Sequence, residues 1–114
     1  MRMGFTDCDL PLAGQHWEIP PGRYDWVYLM LTGVPRTGWE ETVWLHYRGG
    51  VDPEFLRPLP GEPAHAPGAV LARVGAARRD DLTALALPAL ADARVVAFAL
   101  LESSVDVRRA EGVA

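Results

Sequence analysis

Residues 16–31, HWEIPPGRYDWVYLML, repeat their apolar side chains at period two on both sides of a Pro-Pro-Gly break. A strand is the regular structure that throws successive side chains to opposite faces, so Trp17 and Ile19 against His16 and Glu18 read as a half-buried strand. Pro20 and Pro21 have no amide hydrogen to give a ladder, and with Gly22 they make a corner. The second run places Val27, Leu29 and Leu31 on one face and Tyr24, Trp26, Tyr28 and Met30 on the other. Its aromatic and β-branched content suits a pleated surface. Because both faces are apolar, this strand needs cover on both sides.

The pattern continues along the chain. Gly33–Gly38, with Pro35, is turn chemistry, and residues 39–48 resume the alternation, with Val43 and Leu45 facing one way and Trp44 and His46 the other. A turn of this length predicts that the two strands are antiparallel neighbours. Residues 49–68 hold five prolines and four glycines, which predicts a long loop, with Phe55, Leu56 and Leu59 pinning it across the core as an apolar strap. Residues 69–74 suit either a strand or a helix, and Arg78–Asp81 reads as a charged turn.

In LTALALPALADARVVAFALLES a helix capped by Asp80 would put Leu82, Leu85, Ala86 and Leu90 on one face. Pro88 would then lie inside it, at about 3 kcal/mol. Two strands, LTALALP and ARVVAFALL, around a turn at Ala91 and Asp92 fit better. Ser104–Arg109 alternates again and predicts a last strand. HWEIPPGRYDWVYLML and ALALPALADARVVAFALL echo one another as strand, proline corner, apolar strand. This unit resembles the E-to-F corner of fibronectin-type domains. The resemblance implies a sandwich and puts Tyr24 in the place of the corner tyrosine.

These readings predict an all-β fold: an antiparallel β-sandwich or open barrel of about seven short strands. It forms one domain over residues 1–114, with a long Pro-rich loop at 49–68. The alternative is α+β with a helix near 80–91. At 114 residues and 49% hydrophobic, the chain is long enough for one packed core.

Composition narrows the chemistry. With no lysine in the sequence, there is no Schiff base, no P-loop lysine and no lysine general base, and no Gly-rich strand-to-helix fingerprint occurs. Ser103 and Ser104 are the only serines and stand in ESS, not GxSxG, which argues against a seryl hydrolase. No cofactor is therefore expected. A net charge of −4 with scattered arginines argues against nucleic acid as a partner. No apolar run reaches membrane-spanning length, and Met1–Leu12 lacks the basic head and continuous apolar centre of a signal peptide. One cysteine rules out an internal disulfide. A cytoplasmic protein with no membrane partner is expected, and the absence of lysine and asparagine points to a high-GC bacterial genome.

Several constellations are weighed against bland readings. His16, Glu18 and His46 are the candidate metal ligands, since His16 and Glu18 share a strand face. No HxH or HExxH spacing accompanies them, and exposed histidines on a sheet are the plainer reading. Asp7 and Asp9 flank Cys8, and a solvated strand face with a small buried thiol explains them better than a cation site or a nucleophile. The remaining feature is the aromatic row. On the expected pairing Tyr24, Trp26, Tyr28, Trp44 and His46 line one side of two adjacent strands, and such rings give large rigid contact areas. The function expected is a non-enzymatic protein-interaction module using this face, self-associating or binding a protein partner. The alternatives are a small cupin-like metal-dependent enzyme and a carbohydrate-binding module.

Overall fold

The computed structural model describes residues 4–103, all β with no helix among them. The strands are β1 Thr6–Ala13, β2 His16–Gly22, β3 Tyr24–Thr32, β4 Glu41–Tyr47, β5 Gly50–Pro58, β6 Val70–Gly75, β7 Leu82–Ala86 and β8 Ala89–Glu102. They form one antiparallel sheet in the order β1-β8-β3-β6-β5-β4-β7-β2, curled into a half-barrel. One half carries β1-β8-β3-β6 and the other β2-β7-β4-β5, the strand order of a jelly roll.

Two features close the curl. On one side β5 pairs β6 at Arg57 and Pro58 only, opposite Arg73 and Ala72. On the other side β1 runs into β2 and β7 into β8 as two bent strands lying antiparallel. The ladder passes through the bend by Leu87 N–H donating to Gln15 O and Gly14 N–H to Pro88 O. Both proline-corner echoes cross between the halves, β2 to β3 and β7 to β8, and the corresponding strands pair. The corner of the second echo is Leu87–Pro88, where a missing amide hydrogen is tolerated. The turn expected at Ala91 and Asp92 is instead an irregularity inside β8, where the register against β1 shifts and Asp92 has φ 67°. Gly33, at φ +77°, crosses this point so closely that a Cβ would stand 2.0 Å from Asp92 O.

The core lies between the halves. Val27, Leu29 and Leu31 meet Val43, Leu45, Leu56, Val74, Leu82, Leu85 and Val95, all fully buried. Each contributes about 1.5–3 kcal/mol by leaving water. A smaller cluster of Met30, Ala69 and Ala97 sits on the outer face of β3 and β8, under Phe5 and Ala66. The loop at 59–69 therefore covers the outside of the sheet and does not cross the core.

Two further expectations are corrected. First, β3 and β4 are not neighbours: β6 and β5 stand between them, because the Gly33–Glu40 connection carries the chain to the other half. Alternation fixes the face of a strand and leaves its neighbour open. Second, residues 50–58 are a strand and not loop. Pro53 stands opposite Trp44 where β5 has left β6, and a residue without an amide hydrogen fits a strand with one open side. Leu56 enters the core from this strand, while Phe55 points to solvent. The all-β reading holds: the described strands number eight, and 82–86 is a strand, as preferred over the helix. The expected strand at 104–109 lies outside the described residues.

Candidate functional site: the outer face of the sheet

Register places each predicted site residue. Tyr24 leaves the row. Tyr24 pairs Glu102 while Trp26 pairs Leu101, so two β3 residues oppose one on β8. This bulge turns Tyr24 into the main core with Val27. Its hydroxyl donates to Pro20 O at 2.6 Å, the backward hydrogen bond of a tyrosine corner. Burial, then Glu102 and Asp81, push its ionisation up.

Trp26 and Tyr28 stay on the outer face, half-buried, beside β6. Trp26 lies over Gly75, where a Cβ would stand 3.1 Å from the ring. The Arg73 guanidinium covers the ring at 3.8 Å from its centroid and donates to Tyr28 Oη at 3.5 Å. Both residues are thus engaged by their own sheet.

Trp44 and His46 occupy the same convex surface three strands further on, with β6 and β5 between. Thr42, Trp44 and His46 of β4 stand opposite Phe55, Pro53 and Val51 of β5. Residues paired across a ladder share a face, so these six form one patch. Trp44 is 47% exposed, Val51 46% and Phe55 50%, the large apolar side chains that water reaches most among the described residues. The sequence reading missed Val51 and Phe55, since five prolines suggested a loop. Their signal was the alternation of Val51, Pro53 and Phe55 with Asp52, Glu54 and Leu56 inside VDPEFL.

His16 and His46 do come together. β7 lies between their strands, and His16 stands opposite Ala86 while His46 stands opposite Ala84. The two rings close over these small residues edge to face, centroids 4.9 Å apart, and Ala84 is only 2% exposed. Glu18 shares the Ala84 row, across β7 from His46. Among the described residues no group of three His, Cys, Asp or Glu is arranged to hold a metal ion.

Asp7 and Asp9 are exposed, and each meets a basic partner: Asp7 with His65 Nε2 at 2.6 Å and Asp9 with Arg94 Nε at 2.5 Å. Cys8 faces the core, its thiol 3.5 Å from Val95 O. Burial, and then Asp7 and Asp9, push its ionisation up, the wrong direction for a thiolate nucleophile. The turn at 78–81 clamps the β4–β5 hairpin. Arg78 grips Asp52 with two hydrogen bonds of 2.7 and 2.8 Å, Asp80 accepts from Gly49 N–H, and Arg48 pairs Asp81 at 3.0 Å.

No protein-family model and no curated protein matches the chain. Among the described residues no helix is long and apolar enough to cross a membrane.

Proposed function

We propose that the protein is a non-enzymatic interaction module of the cytoplasm that self-associates through the outer face of the β4–β5 hairpin. The observation that carries this reading is the side-by-side exposure of Trp44, Val51 and Phe55, each about half accessible, on one rigid two-stranded surface. Leaving such side chains in water forgoes about 1.5–3 kcal/mol each, and contiguous apolar patches mark interaction surfaces. A second copy of the same face is a self-complementary partner, the simplest geometry for a two-fold dimer.

Light scattering after size exclusion tests it. A dimer is expected, and Trp44→Ser and Phe55→Ser should each weaken it by tenfold or more while the β-sheet circular dichroism persists. A monomeric wild type, or a dimer indifferent to both changes, overturns the reading.

The His16–His46 contact leaves a second reading, a metal-dependent enzyme, which would need these histidines and Glu18 to rearrange, since among the described residues no such group is arranged to hold an ion. Zinc, iron or manganese should then co-purify in a stoichiometric amount and be lost in His46→Ala. Metal-free protein with no thermal shift on adding these ions removes that reading.

A further inference from the structure

We propose that the cleft where β5 separates from β6 is a binding site for a small organic carboxylate that also carries hydroxyl or ammonium donors. The cleft has a volume of about 340 Å³, within the range of small-molecule sites. Trp26, Arg73 and Gly75 form one wall, Phe55 and Arg57 the other, and Glu54 also lines it.

Its charges carry the inference. Arg57 and Arg73 stand directly opposite on the ladder, and like charges in that relation destabilise a sheet. A single carboxylate, Glu40, reaches the pair, at 2.7 Å from Arg57 Nε. Arg73 is half-buried and has no carboxylate within 4.0 Å among the described residues; it is held in place by Trp26 and Tyr28 alone. A partly desolvated guanidinium without a counter-ion is unfavourable unless a ligand supplies one, and its planar fork matches a carboxylate. Trp26 is unavailable for stacking, with Gly75 on one face and Arg73 on the other. Its role is to aim Arg73, while Phe55 offers the apolar wall.

Glu54 sets the ligand's other end. It lines the cleft from the inner side of β5, opposite Val43, and pairs with neither arginine. An unpaired carboxylate repels a doubly charged anion such as phosphate and accepts hydrogen bonds from hydroxyl or ammonium groups. A single negative charge at the arginines with donors toward Glu54 satisfies both ends.

Amide and indole NMR spectra of the full chain, titrated with sodium glucuronate, sodium L-glutamate, glucose and inorganic phosphate, test the proposal. At least one of the two carboxylates should shift the Trp26 indole N–H saturably, the resonance being assigned from Trp26→Phe. Arg73→Gln should weaken that binding about tenfold or more, with glucose and phosphate weaker than the carboxylate. No saturable shift with either carboxylate overturns the proposal, as does equal affinity in Arg73→Gln or phosphate binding as tightly. If Arg73→Gln loses its dispersed spectrum, Arg57→Gln is judged by the same criterion. The cleft shares Phe55 with the self-association face, so the two proposals are separated by residues each uses alone: Arg73→Gln should leave the oligomeric mass unchanged, and Trp44→Ser should leave the titration unchanged.

Discussion

Tyr24 and Tyr47 are both buried aromatic residues of the main core, yet only Tyr24 completes a hydrogen bond, to Pro20 O. The Tyr47 hydroxyl is buried without one. Burial pushes its ionisation up, opposed by backbone N–H groups of Arg78 and Ala77 that face the oxygen without forming a bond of good geometry. Removing an unsatisfied buried hydroxyl is nearly neutral, while removing a bonded one costs about 1 kcal/mol. Tyr47→Phe should therefore change stability at pH 7 by less than about 0.5 kcal/mol, and Tyr24→Phe should lose about 1 kcal/mol, in urea unfolding. The ionisation of both tyrosines is raised in the fold. Their contribution is fully present below the ordinary tyrosine value of 10.0 and is lost as pH rises past it. Tyr47→Phe should make that alkaline loss shallower, and an unchanged slope in urea midpoints above pH 10 would refute the assignment.

The β4–β5 hairpin shows how an element is read and misread. In β4 the alternation of Val43 and Leu45 with Trp44 and His46 was legible because no proline interrupts it. In β5 the same alternation was present, but Pro53 and Pro58 carried the signature of a loop. Proline's veto on strands comes from its missing donor, and the veto lapses where a strand has no partner on one side, which the local sequence does not reveal. The hairpin is also held from outside by Arg78 on Asp52. The Arg78 guanidinium holds the Asp52 carboxyl below its ordinary value. A depressed carboxylate stabilises the fold above its unfolded value of 3.8, and that contribution is lost as pH falls through the folded value. Asp52→Asn should thus narrow the stability gap between pH 7 and pH 3, read by urea midpoints at the two pH values. An unaltered gap would show that the clamp is not formed in solution.

At the scale of the whole molecule, pairs such as β1 with β8, β2 with β7 and β3 with β8 join distant parts of the chain. Ordering such pairings closes long loops before contacts repay them, so refolding should take milliseconds to seconds. Stopped-flow Trp fluorescence checks this, and a microsecond phase carrying the full amplitude would contradict the topology. The sequence by itself determined that the chain is β, which face of each uninterrupted strand enters the core, and where the proline corners fall, because period-two patterning and missing amide donors act locally. Only the tertiary structure decided which strands are neighbours. It separated Trp26 from Trp44, turned Tyr24 inward through a bulge, brought Phe55 and Val51 beside Trp44, and set Arg73 opposite Arg57. Pairing depends on how the halves of the sheet pack and cross, and the energy that selects among crossings is spread over the whole core.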